Sequence, residues 1–211
     1  MKSCHNESTM MQGFEKKANP NEDAGFILAS GSPRRKELLG ELVRDFTVLP
    51  SDAEEIVFHP DGPLDLVMEN ARLKGSAVAR KYPDRWVLGA DTLVWVDDDV
   101  LGKPKDMEEA VEMLRNLAGR THSVSTGLYL SRLCAEYEET RVETSEVTFR
   151  AFDDSVIETY FGEVDPLDKA GGYAIQTRPD LIIDKFAGSH SNVIGLPLEL
   201  LDSWLTELGI S

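Results

Sequence analysis

Residues 25–42 read GFILASGSPRRKELLGEL, and this stretch decides the fold class. It starts with a short apolar run, Phe26-Ile27-Leu28-Ala29, of the length and composition of a buried strand. The run ends in Ser30-Gly31-Ser32-Pro33, and there the period changes. Leu38, Leu39 and Leu42 recur on one face of a helix spanning about 33–43. Ser32 is a good N-cap and Pro33 a good first helical residue. A strand that turns at once into a helix opens an α/β chain.

Outward from this stretch the two periods keep alternating. Strands are predicted over 46–49, 122–133, 137–149 and near 181–186, while 86–96 is an apolar run too polar at its middle to be a plain core strand. Helices are predicted over 63–82, 106–118, 153–162 and 197–208. Asp97-Asp98-Asp99 reads as a hairpin turn. Two consecutive strands, 122–133 and 137–149, also form a hairpin, so the expectation is an α/β fold with a mixed twisted sheet and flanking helices. In residues 1–24 the only large aromatic or branched apolar side chain is Phe14. That segment reads as a disordered leader, and 25–211 as the folded domain.

The chain has 211 residues, enough for one domain or for two small lobes. It is 41% hydrophobic and 28% charged, which excludes wholesale disorder. Its 22 basic and 38 acidic residues give a net charge of −16. A field of that sign repels nucleic-acid backbones and anionic lipids, so neither is an expected partner. A polyanionic ligand must then be held by a local cluster of Arg and Lys, or through a metal ion. Two cysteines, Cys4 and Cys134, are too few for a disulfide framework. No apolar run approaches the roughly 18 residues of a membrane span, and no signal-peptide core opens the chain, so a cytoplasmic location is expected.

Five places carry possible chemistry. The first is the Ser30–Arg35 turn. The capping-box position three residues after Ser32 holds Arg35 instead of Glu or Gln, beside Arg34. Two cations at the positive end of a helix dipole are each unfavourable by roughly 0.3–1 kcal/mol. A docked anion reverses that sign, and a solvated surface Arg pair is the plain alternative. The second is Gly89-Ala90-Asp91-Thr92, where Asp91 interrupts an apolar run. A buried carboxylate must be paired, metal-bound or exposed in a cleft, unless Asp91 simply caps a strand end. The third is Gly102-Lys103-Pro104, which alone reads as a polar turn. The fourth is Lys74, on the same helical stripe as Val67, Ala71 and Val78. It either snorkels outward or points into a charged site. Glu54 and Glu55 pose the same choice in a loop. The fifth is the stretch 165–176, DPLDKAGGYAIQ, whose double glycine suggests a special backbone beside a ligand. There Tyr173 could stack on a nucleobase and Gln176 could pair with its edge, or the segment is a structural turn. The histidines show no metal-ligand spacing, and no Walker A loop follows the first strand.

Taken together, ASGSPRRKELL, GADT at 89–92, LGKPKD at 101–106, HSVSTG at 122–127, PLDKAGGYAIQ at 166–176 and NVIGLP at 192–197 resemble the Maf family of nucleotide pyrophosphatases. The resemblance implies two lobes around a central cleft, similar to the ITPase fold. It implies hydrolysis of a nucleoside triphosphate to the monophosphate and pyrophosphate with a divalent cation, Mg²⁺ or Mn²⁺. It places the proton acceptor at Asp91, with Glu55, Lys74 and Lys103 as further catalytic residues and Asp91 and Glu55 as the metal-holding carboxylates. Substrate contacts fall on Ser30, Ser32, Arg34 and Arg35. The triad Arg34, Thr92 and Gln176 is similar to that of the dTTP/UTP branch, a house-cleaning nucleoside triphosphate diphosphatase, and a homodimer is common in the family. Two rivals stand beside it: a nucleotide-binding regulator that does not hydrolyse, and a purine pyrophosphatase acting on ITP or XTP.

Overall fold

The computed structural model describes residues 25–210 except Asp98. The leader expected at 1–24 lies outside the described residues. In chain order the elements are β1 (Phe26–Leu28), α1 (Pro33–Leu42), β2 (Phe46–Val48), α2 (Pro63–Ala79), β3 (Trp86–Val96), β4 (Asp99–Leu101) and α3 (Met107–Leu117). They continue with β5 (Thr121–Arg132), β6 (Tyr137–Phe149), α4 (Asp154–Phe161), α5 (Pro179–Ile182), β7 (Ile183–Ala187), α6 (His190–Ile194) and α7 (Leu198–Glu207). β4, α5 and α6 are not among the elements expected from the sequence. Among the described residues no helix is long and apolar enough to cross a membrane.

One seven-stranded sheet runs β2-β1-β3-β5-β6-β7, with β4 beside β3. β1 is parallel to β2 and β3, and every other pairing is antiparallel. The sheet is mixed, as the hairpin at 121–149 required.

Two apolar clusters share one face of the long strands. Leu88 and Ala90 of β3 pack with Leu28, Leu39, Leu128 and Trp204. Further along the same strand, Val94 and Val96 pack with Leu114, Val124, Phe149 and Tyr160. Alternation along a strand puts Thr92 on this face too, between the clusters. These clusters are the cores of two lobes, and the cleft opens at the seam.

The opposite face carries α2. A Cβ on Gly89 would lie 2.4 Å from Ala71 O, and one on Gly127 would lie 2.6 Å from Val67 O. Only glycine lets the helix backbone settle directly on the strands. Asp91 and Gly127 are paired across β3 and β5, so the close approach delivers α2 side chains to Asp91. One edge of β3 is also open. β1 pairs with Trp86–Leu88 and β4 with Val94–Val96, leaving 89–93 without a strand on that side. A crevice beyond the carboxyl end of β1 is where ligands sit in open α/β sheets.

Candidate active site

The crevice is a cleft of about 470 Å³. One part is charged: Arg34, Arg35, Lys74, Lys103 and Lys169 line it with Glu55, Asp91 and Asp168. The chain carries −16 overall, so five cations against three carboxylates is a local reversal of sign. Apolar side chains line it as well, with Val94, Val124, Val193 and Ile194 on the face of β3 opposite Asp91. Charge at one end and apolar wall at the other suit a ligand with a polyanionic tail and a flat, weakly polar head.

Lys74 sits at the centre of the charged part. Its Nζ donates to Asp91 Oδ1 at 2.7 Å and lies 2.7 Å from Glu55 Oε1. The side chain is 15% exposed and that of Asp91 7%, so the lysine points inward with the α2 stripe. Asp91 Oδ2 is buried and has no hydrogen-bond partner among the described residues. A buried acceptor left empty costs about 1–3 kcal/mol, which a ligand proton or cation would offset. Glu55 reaches Lys74 from the loop between β2 and α2, and Glu54 is exposed outside the cleft.

That loop is tied down by Asn70, which sequence reasoning passed over. Its Oδ1 accepts the Ile56 N–H at 2.9 Å and its Nδ2 donates to Ile56 O at 3.0 Å. A buried amide thus anchors the residue next to Glu55. The available signal was a polar residue one turn before Lys74 on the same inward stripe.

The arginine pair, read as acting together on an anion, is divided by the fold. Arg34 points to the cleft mouth, where Nη1 lies 3.3 Å from Asp168 Oδ2. Asp168 also pairs with Lys169, whose Nζ donates to Asp165 O. Burial alone would raise the Asp168 carboxyl, but Lys169 and Arg34 outweigh it and hold it below its usual range. Arg35 turns inward. Its Nε donates to Gly195 O, Nη1 to Ser30 Oγ and Ala90 O, and Nη2 to Thr92 Oγ1, all within 2.9–3.1 Å. Four of its five N–H groups are thereby used inside the protein. Burial pulls its guanidinium below the usual value, and the Asp91 carboxylate pulls it back. It closes the open edge of β3 at Ala90.

Ser30 is buried, and its hydroxyl accepts from Arg35 and from the Ser32 N–H. Ser32 caps α1 and lines the cleft, accepting the Arg35 N–H at 3.4 Å. Lys103 stands exposed at the rim with no ion-pair partner among the described residues. Gly171 (φ 69°) and Gly172 (φ 73°) are both left-handed, and the Gly171 N–H donates to Gly102 O at 3.0 Å. The double glycine therefore locks the 165–176 segment against the Lys103 loop. Gln176 is exposed in the cleft wall.

Tyr173 does not present a free ring for stacking. It is 5% exposed, packs edge-on against Phe149 and His122, and its hydroxyl is 2.8 Å from His122 Nε2. Burial raises its pKa and pushes His122 down to about 4. Apolar neighbours on both sides of the chain made it a core residue, which local spacing could not show.

The family model described as Maf-like protein matches residues 25–208. A curated dTTP/UTP pyrophosphatase of Bacillus cytotoxicus is 46% identical over 176 residues, covering 83% of this chain and 91% of that relative. One from Desulfotalea psychrophila is 42% identical over 184 residues, covering 87% and 94%. One from Myxococcus xanthus is 45% identical over 172 residues, covering 82% and 86%. The solved Ham1 protein of Staphylococcus aureus shares the fold, with a TM-score of 0.56, 18% identity, and coverage of 87% of this chain and 99% of that one.

Proposed function

This chain belongs to the Maf family, and from that premise and the cleft's geometry we propose that it hydrolyses dTTP and UTP to the monophosphate and pyrophosphate. The observation that carries the reading is Lys74 held 2.7 Å from both Asp91 and Glu55, inside a cleft where cations collect in an acidic protein. Curated relatives of the same name cover most of the chain, which supports the substrate class.

The triphosphate lies along the charged part of the cleft. Lys103 at the rim meets it first, and Arg34 and Lys169 exchange Asp168 for phosphate oxygens. The α1 N-terminus, capped by Ser32, adds its dipole. Lys74 holds Asp91 Oδ1, which aims the unpartnered Oδ2 at a water molecule. The water oxygen bonds to the α-phosphorus, its proton passes to Asp91 Oδ2, and the bond to the bridging oxygen breaks. Pyrophosphate leaves with that electron pair, its charge met by Lys74 and Lys103. Arg35 acts from behind, by holding Ser30, Thr92 and the Gly195 turn in place.

Among the described residues no group of three or more His, Cys, Asp or Glu side chains gathers in a way that could hold a metal ion. The Asp91 and Glu55 carboxylates flank Lys74 on the cleft side, and a pair of carboxylates fits a Mg²⁺ or Mn²⁺ ion. Asp91 and Glu55 would hold it, and it would supply neutralisation of the triphosphate charge. Among the described residues Cys134 is an exposed free thiol, in keeping with the cytoplasmic location we propose.

The test is pyrophosphate release with Mg²⁺ from dTTP, UTP, CTP, ITP and 7-methyl-GTP. dTTP and UTP are expected to lead. Affinity without pyrophosphate would make the protein a binder, and faster turnover of ITP would move it to the purine class.

A further inference from the structure

Thr92 and Thr126 face each other across β3 and β5, at the step that separates the two apolar clusters. Ala90 and Leu128 lie in one cluster, Val94 and Val124 in the other. Three hydrogen bonds run through the pair. Arg35 Nη2 donates to Thr92 Oγ1 at 2.9 Å. The two hydroxyl oxygens are 3.0 Å apart. Thr126 Oγ1 donates to Asn192 O at 3.0 Å.

The two ends of this chain set the direction of every proton in it. A guanidinium can only donate and a carbonyl can only accept. The Thr126 proton must go to Asn192 O, because Thr126 is fully buried and water cannot separate two facing lone pairs. Thr126 then needs a proton from its other neighbour, so Thr92 donates to it. Thr92 in turn accepts from Arg35. The hydroxyl of Thr92 has spent its proton inside the protein, and one lone pair remains toward the cleft it lines.

Thr92 lines the cleft on the face of the sheet that carries the two clusters, with Val94 and Val124, whereas Asp91 and Leu93 lie on the α2 face. Gln176 is in the same wall and can both donate and accept. A ring seated in the apolar part meets an acceptor at Thr92. Uracil and thymine offer a ring N3–H flanked by carbonyls. At the same ring position cytosine offers a bare N3 lone pair, which would oppose that of Thr92, and its donor is the exocyclic amine on the neighbouring carbon instead.

We propose that Thr126 is a positioning residue for base selection. By taking the Thr92 proton it keeps Thr92 a pure acceptor, and the cleft then favours a base whose ring nitrogen donates. This rests on the pyrophosphatase reading above.

The experiment compares kcat/KM for UTP, CTP and 3-deaza-UTP, which carries a C–H where UTP has N3–H, by pyrophosphate release from wild type, Thr126→Val and Thr126→Ser. Wild type is expected to prefer UTP over both analogues by roughly 10- to 100-fold, the discrimination that follows when the wrong ligand leaves a site's polar atom unpaired. In Thr126→Val the Thr92 proton is free to turn into the cleft, and the CTP-to-UTP ratio rises at least about tenfold. Thr126→Ser restores the wild-type ratio. A purely structural Thr126 would lower stability or all rates together and leave the ratio alone, and that result overturns the inference. Should Thr126→Val fail to fold, wild type still decides: UTP and 3-deaza-UTP cleaved equally well overturns it. Release from none of the triphosphates overturns the hydrolase reading and this inference together, whereas release without discrimination among the three overturns the inference alone.

Discussion

Lys74 holds two carboxylates at once, and this determines what each can do. Asp91→Asn keeps the shape but removes the proton acceptor. We expect kcat for dTTP to fall roughly 10²–10⁴-fold, the usual contribution of a general base. Stopped-time pyrophosphate assays with a parallel KM measurement check this. Asn70 acts at one remove, through Ile56 and the Glu55 loop. Asn70→Ala should therefore lower kcat/KM, and the double variant with Glu55→Gln should be no slower than Glu55→Gln alone. Additive losses in that cycle would separate Asn70 from Glu55. At this scale the sequence showed which residues were chemically odd for their surroundings: Asp91 in an apolar run, Lys74 on an apolar stripe, Arg35 at a helix N-terminus. It left open where each pointed, and so it gave Arg35 and Ser30 the same task as Arg34 and Ser32.

Helix α2 brings Lys74 to Asp91 only because β3 and β5 are stripped to glycine beneath it. A methyl at Gly127 would stand 2.6 Å from Val67 O and 3.1 Å from Met68 Cα, contacts that backbone cannot yield without moving the helix. Gly127→Ala should destabilise the fold by about 1–3 kcal/mol in urea unfolding, the usual penalty of an overpacked core. It should also reduce turnover, since Lys74 rides on the displaced helix. Full activity in a destabilised Gly127→Ala would show that the Lys74–Asp91 distance is not set by this packing. Helices α1 to α4 and α7 and strands β5 and β6 were legible from their length and period, and β1, β2 and β3 from apolar runs bounded by turn residues. The short β4, α5 and α6 were not, although α6 supplies the Asn192 carbonyl at the seam.

For the molecule as a whole, acid stability hinges on a residue outside the chemistry. His122 is 2% exposed, and burial depresses its pKa to about 4 from the ordinary 6.5. The unfolded chain binds this proton first as pH falls, so the stabilisation is complete above about pH 6.5 and is lost progressively down to about pH 4. A shift of that size corresponds to about 3 kcal/mol. Urea midpoints measured between pH 7 and pH 4 should fall through this window. In His122→Phe, which keeps the aromatic packing on Phe149 and Tyr173, that part of the slope should disappear. An unchanged slope would assign the acid sensitivity to carboxylates instead.

The order of the longer elements, the mixed sheet and the acidic character could be read from the chain alone, because periodicity, capping and composition are local or additive properties. The same local oddities, in their order along the chain, pointed to the family. Only the tertiary structure decided that the cations of four separate segments share one cleft, that Arg34 and Arg35 part company, that Tyr173 is core, and that Thr92 meets Thr126 across the seam. Those facts depend on which strand edge stays open and on how closely a helix can approach a sheet. Neither is a property of any short stretch of sequence, since both arise from backbone atoms that lie far apart along the chain and meet only when it is folded.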